Sequence, residues 1–141
     1  MRRLVLLLIL AGYAALPGAD RPNTLTPQEK KEGYTLLFNG RTLDGWEGDP
    51  ALWSVQNGVL VGSTDGRDIK QNTFLITKQK YADFVLELDM KLRNHNSGVQ
   101  FRSQALPDWV VSGYQADAAE GNWWGSLYEE RGRGVLANGW K

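Results

Sequence analysis

Residues 83–92 set Phe84, Leu86, Leu88, Met90 and Leu92 on one parity and Asp83, Val85, Glu87, Asp89 and Lys91 on the other. A period of two places the sets on opposite faces of a strand, so one face must meet a core. No long segment carries a helical period. The same grammar recurs along the chain. Trp53–Val55 and Val59–Val61 flank Asn57-Gly58, a hairpin turn signal. Tyr34–Phe38 runs into Asn39-Gly40, and further strands are expected at Phe74–Thr77, Val99–Ser103, Val110–Asp117 and Ser126–Tyr128. Short strands divided by turn residues predict an all-β, antiparallel sandwich.

What precedes those strands has a different character. Arg2 and Arg3 open an apolar run from Leu4 to Leu16, followed by small residues at Gly18 and Ala19. This pattern reads as a secretory signal peptide over residues 1–19. The run is short for a membrane span of about 20 residues, so no stable membrane association is expected after cleavage. The mature protein is expected to be secreted or periplasmic. Residues 20–32 read as a polar linker. Within it Thr26-Pro27-Gln28-Glu29 has the form of an N-cap followed by proline at the first helical position. The domain proper occupies residues 33–141. Its end at Asn138-Gly139-Trp140-Lys141 is another turn signal, which leads to the expectation that the domain is truncated at its C-terminus.

Composition removes several classes of function. The chain has 16 basic and 16 acidic side chains, and this zero balance argues against nucleic acid as a partner. It has no cysteine and a single histidine, His95. Disulfides, thiolate chemistry and a multi-histidine zinc site are therefore excluded.

Parity then selects candidate site residues. With Val99 and Phe101 directed to the core, Gln100 and Arg102 face away from it. With Tyr114 and Ala116 inward, Gln115 and Asp117 face outward. With Leu127 inward, Ser126, Tyr128 and Glu130 face outward. If the three strands share a sheet, its outer face carries Gln100, Arg102, Gln115, Asp117, Tyr128 and Glu130. Amides, carboxylates, a guanidinium and a phenol suit a ligand rich in hydroxyls, although an outer sheet face is polar in any case. His95 falls in the turn Arg93-Asn94-His95-Asn96 and has the titration range for acid–base work. Trp123 and Trp124 either stack on a ring or fill the core, with Trp124 preferred as a ligand contact. Glu87 and Asp89 share a strand face, as paired catalytic carboxylates do. Lys91 stands where a third acid would be, and the two acids read as solvated.

At these residues the chain resembles the 3-keto-disaccharide hydrolase domain family. The similarity begins at Gly33-Tyr34-Thr35-Leu36-Leu37-Phe38-Asn39-Gly40-Arg41-Thr42-Leu43-Asp44-Gly45-Trp46. It continues through Trp53, Asn57-Gly58-Val59-Leu60, Leu75-Ile76-Thr77 and Tyr81-Ala82-Asp83-Phe84, and is most characteristic at Asn96-Ser97-Gly98-Val99 and Arg102. Many members have Gly-Tyr-Glu-x-Gln where this chain has Gly113-Tyr114-Gln115-Ala116-Asp117. The resemblance implies a concanavalin A-like jelly-roll sandwich, secreted and acting on oxidised sugars. Arg102, Asp117, Glu130 and His95 are then the catalytic candidates. Gln100, Gln115, Trp124 and Tyr128 are the substrate-binding ones. No cofactor is required. A divalent cation can polarise a ketone, but the sequence offers no dedicated ligand set. The rival expectations are a non-catalytic, lectin-like carbohydrate-binding module and an inactive truncated remnant.

Overall fold

A computed structural model describes the backbone of residues 2–6 and the whole of residues 23–139. Most of the expected leader, the start of the expected linker, and Trp140 and Lys141 lie outside the described residues. Among the described residues no helix is long and apolar enough to cross a membrane. The described residues are all-β, as the alternation predicts, apart from one short helix and two 3-10 turns. In chain order the elements are β1 (Arg2–Leu6), α1 (Pro27–Glu32), β2 (Tyr34–Leu36), β3 (Trp46–Glu47), β4 (Trp53–Gln56), β5 (Val59–Gly62), β6 (Ile76–Thr77), β7 (Phe84–Leu88), β8 (Asn96–Ala105), β9 (Val111–Ala119), β10 (Leu127–Glu130) and β11 (Gly134–Ala137). The chain divides into two compact units, residues 1–69 with 77–90, and residues 70–76 with 91–141.

The first unit starts from a well-capped helix. The Thr26 hydroxyl accepts the Glu29 N–H at 3.1 Å, and the Glu29 carboxylate accepts the Thr26 N–H at 2.6 Å. This reciprocal pair satisfies two donors that the first turn leaves open. Gly33 ends the helix in the left-handed conformation. The expected hairpin forms as β4 and β5, with Trp53 opposite Gly62 and Gln56 opposite Val59. The turn at Asn39 is closed by its own side chain, whose Oδ1 accepts the N–H groups of Arg41 and Thr42. Phe38 and Leu60 are buried, and the Trp46 indole donates to the Leu37 carbonyl at 2.8 Å.

Three features depart from the sequence expectation. The strand expected over residues 83–92 is regular only from Phe84 to Leu88, and that at 74–77 only over Ile76–Thr77. The third departure is β1, which lies inside the segment read as a leader. It pairs in parallel with β2 on one side, Leu4 opposite Thr35, and with β7 on the other, Leu4 opposite Leu86. An apolar run meets the same backbone requirement in a sheet as in a leader, because a ladder pairs its N–H and C=O groups.

The second unit is a single antiparallel sheet in the order β11-β10-β9-β8. β8 and β9 run longer than their alternation implied, because Asn96–Gly98 and Ala118–Ala119 also pair. β11 is an added strand with no counterpart in the sequence reading. The 3-10 turns Pro107–Trp109 and Gly121–Trp123 sit in the two connections that flank β9.

Candidate functional site

The register of the second unit brings most of the predicted residues together. Gln100 lies opposite Gln115, Gln115 opposite Tyr128, and Tyr128 opposite Val135. Paired residues on neighbouring strands share a face, so one rung across four strands carries two amides and a phenol. Asp117 follows two residues on from Gln115 and lies opposite Gly98. Glu130 lies at the other end, opposite Gly113. Strands rise about 3.4 Å per residue and sit about 4.8 Å apart. By that geometry the backbones at Asp117 and Glu130 are about 14 Å apart, on either side of the rung.

The amides are held in one orientation by a directed chain of hydrogen bonds. The Ser103 hydroxyl donates to Gln100 Oε1 at 2.9 Å. Gln100 Nε2 donates to Gln115 Oε1 at 3.0 Å, and Gln115 Nε2 donates to Asp117 Oδ1 at 2.6 Å. The last bond ends on a carboxylate, which accepts strongly. Both amide oxygens are occupied, and each amide keeps a second N–H. Among the described residues, donors without a partner therefore lie at the centre of the face and acceptors toward its ends.

Backbone shape makes this possible. A Cβ on Gly98 would stand 2.6 Å from Gln115 Cγ and 2.7 Å from the Ala116 carbonyl oxygen. Only a residue without one lets the glutamine lie across β8. Gly113, at φ +146°, plays a similar part for Ser103, whose Oγ is 2.5 Å from the place a Cβ would take.

The chain also corrects the parity argument at Arg102. Pairing jumps from Phe101–Tyr114 to Gln104–Ser112, so Arg102 and Ser103 together oppose Gly113 in a bulge. Arg102 adopts φ +51°, a left-handed conformation that costs an ordinary side chain about 1–2 kcal/mol. Strain of this kind collects at functional sites. Ser103, not Arg102, takes the place beside Gln100. The bulge shares the Glu130 end of the face, one strand beyond Gly113, and lies far from Asp117.

Burial is the second correction. Tyr114 and Ala116 were expected to be the covered members of their strand. Instead Ala116 is exposed, Gln115 is only 8% exposed and Glu130 only 9%. Ser126, expected outward, is fully buried. Alternation holds, but the polar side is the better covered one. Two segments contribute to that cover. Residues 70–76 reach Glu130 through Asn72, whose Nδ2 donates to Glu130 Oε2 at 3.4 Å, and are fixed by the Phe74 N–H donating to the Trp109 carbonyl. At the other end the Gly139 N–H donates to Ser126 Oγ at 3.3 Å.

The opposite face carries Phe101 and Tyr114, with ring centroids 6.0 Å apart, and an ion pair between Glu129 and Arg133. Arg133 holds the Glu129 carboxyl below its ordinary range, chiefly by a side-chain hydrogen bond.

The remaining predicted residues collect at the Asp117 end. His95 is exposed in its turn, at φ +63°, and its carbonyl accepts the Glu120 N–H. Trp123 and Trp124 are 47% and 46% exposed, so neither fills the core. Glu87 and Asp89 are exposed, and Glu87 accepts a hydrogen bond from the Tyr34 hydroxyl. Among the described residues no three His, Asp or Glu side chains cluster to hold a metal ion. Sequence reasoning missed Ser103 and Asn72. The glycine at 113 is the only trace of the bulge that admits Ser103. Nothing in the sequence links residue 72 to residue 130.

Residues 33–139 match the model of the 3-keto-alpha-glucoside-1,2-lyase-like domain. A protein of Bacteroides thetaiotaomicron named 3-keto-disaccharide hydrolase is 29% identical over 107 residues, which is 70% of this chain. The chain spans 37% of the length of that relative.

Proposed function

The chain belongs to the 3-keto-alpha-glucoside-1,2-lyase-like domain family, and on that premise we propose that it cleaves 3-keto-glycosides. The observation that carries this reading is the polarity of the site. Gln100 and Gln115 offer N–H groups at the centre, and the carboxylates of Asp117 and Glu130 accept at the ends. A ketone oxygen only accepts, while the hydroxyls around it can donate. A pyranose oxidised at C3 therefore complements the face, with its carbonyl on the central amides.

The chemistry follows from that placement. A ketone at C3 acidifies the proton on C2. One carboxylate, Asp117 or Glu130, takes that proton, and the electron pair moves onto the C3 oxygen as an enolate. The remaining amide N–H groups stabilise the charge at the centre of the face, and the Arg102 guanidinium adds to them from the bulge at the Glu130 end. The enolate then re-forms the ketone, a C1–C2 double bond forms, and the C1–O bond breaks. The other acid or His95 protonates the departing oxygen. Water adds back, hydroxyl to C1 and hydrogen to C2, so the net change is hydrolysis. Tyr128 and Trp124 hold the sugar. The apolar start of the chain supports export to a secreted or periplasmic location as part of the same proposal.

The test is mass spectrometry of products from a 3-keto-glucoside. Cleavage is expected with the native chain, and a loss of about a hundredfold or more with Arg102→Asn. Asparagine tolerates the left-handed backbone, so that loss reports the guanidinium. Absence of cleavage together with binding of unoxidised glycans would replace this reading by a lectin-like one.

A further inference from the structure

We infer that Trp123 and Trp124 form the subsite for the departing sugar, which fixes the direction of the substrate on the face and separates the roles of the two acids. This inference rests on the reading above. The loop from Glu120 to Gly125 joins β9 to β10 at the Asp117 end only. It is clamped there through backbone groups. The Gly125 N–H donates to the Asp117 carbonyl at 2.7 Å, the Asp117 N–H donates to the Ser126 carbonyl at 2.9 Å, and the Ser126 N–H donates to the Trp123 carbonyl at 3.0 Å. Trp124 is thus one residue from a direct bond to the backbone of a candidate catalytic acid.

Two adjacent indoles on this clamped turn are each nearly half exposed. Large exposed aromatic groups mark binding surfaces, and an indole offers a flat apolar face with a polar N–H, which suits the C–H face of a pyranose and its hydroxyls. The Glu130 end is different. It holds the strained Arg102 and the Asn72 strap, and Glu130 is covered. A second ring therefore has its platform beside Asp117.

With the keto carbon over the central amides and the leaving sugar over the tryptophans, C1 and C2 both lie toward Asp117. Asp117 is then the group that takes the C2 proton. His95, in the turn just before β8 and three residues from Gly98, the partner of Asp117, is placed to protonate the departing oxygen. Glu130 faces the far side of the keto sugar and binds its hydroxyls.

The experiment compares a 3-keto-disaccharide with the methyl glycoside of the same 3-keto sugar. In the Trp123→Ala/Trp124→Ala double variant, KM for the disaccharide should rise about tenfold, and KM for the methyl glycoside by a clearly smaller factor. Asp117→Asn should abolish kcat for both, and Glu130→Gln should act mainly on KM for both. Equal losses on the two substrates in the tryptophan variant, or no loss on either, overturn the subsite. If the native chain turns over neither substrate, the proposed function fails by itself. Tryptophan fluorescence with the unoxidised disaccharide against glucose then decides the subsite: quenching by the disaccharide alone, lost in the double variant, supports it, and any other pattern overturns it.

Discussion

The two units of the chain reach a β-structure by opposite routes. In the second, each strand of the sheet pairs with its neighbour in sequence, from β8 through β11. In the first, the hairpin of β4 and β5 is local, but the three-stranded sheet joins segments far apart, with β1 running parallel to both β2 and β7. Local antiparallel pairing has a small loop-closure cost, while parallel pairing of remote segments has a larger one. The difference shows where precision can be built. The hydrogen-bond chain from Ser103 to Asp117 depends on register, and it is found on strands whose register short connections fix.

The largest expected effect breaks the second unit at that register. Gly98→Val drives a branched side chain into Gln115 and into the Ala116 carbonyl. The carbonyl belongs to the backbone and cannot turn away. A loss of about 1–3 kcal/mol of stability is expected, with turnover of a 3-keto-glucoside down by about a hundredfold or more, because a displaced Gln115 no longer bonds to Asp117. Chemical denaturation and initial-rate measurements check both. Native stability with unchanged turnover would show that Gln115 has room the close approach denies.

The next prediction breaks the first unit. Removing residues 1–19 takes β1 from between β2 and β7. Amides of Tyr34–Leu36 and Phe84–Leu88 should then exchange about tenfold faster or more, while those of β8–β11 keep their protection. Unchanged exchange at β2 and β7 would mean that those strands need no partner at that position, and the contrast between the units would narrow.

How much of this was legible in the sequence follows the same divide. The hairpin at Asn57-Gly58, the cap at Thr26 and the shared face of Gln100, Gln115 and Tyr128 were all readable, because each depends on residues close in sequence or on a period of two. The bulge at Arg102 was not, since one extra residue inverts parity and leaves only Gly113 as its mark. Nor was the burial of Gln115 and Glu130. Alternation says that two faces differ, not which of them later segments will cover, and the contact from Asn72 spans 58 residues. The parallel strand Arg2–Leu6 was hidden for a chemical reason, because a leader and a strand can carry the same apolar residues.

A smaller effect sharpens the comparison at the edge of the first unit. Thr26→Ala removes the acceptor for the Glu29 N–H and loosens the reciprocal bond from the Thr26 N–H. The helix α1 has only six residues and no buried ones, so little else holds its first turn. Amides at Glu29 and Lys30 should lose protection, and those of β4 and β5 should not. Thr26→Ser, which keeps the hydroxyl, should restore most of it.

The smallest effect is electrostatic and touches both units equally. Glu29 in the first and Glu129 in the second have carboxyl groups held below their ordinary value of 4.5, Glu29 chiefly by the Thr26 N–H and Glu129 chiefly by Arg133. A depressed carboxyl stabilises the folded state fully above the unfolded value and loses that contribution as pH falls through the folded one. The melting temperature should therefore be flat in this respect above about pH 5 and decline below about pH 4.5. Glu29→Gln and Glu129→Gln should each flatten part of that decline while leaving the profile at neutral pH nearly unchanged, since both groups are partly open to solvent and screened. Because the two sites lie in different units and share no partner, their effects should add. A double variant that departs from the sum would show that the units do not respond to acid independently, and the contrast between them would need a term for their coupling.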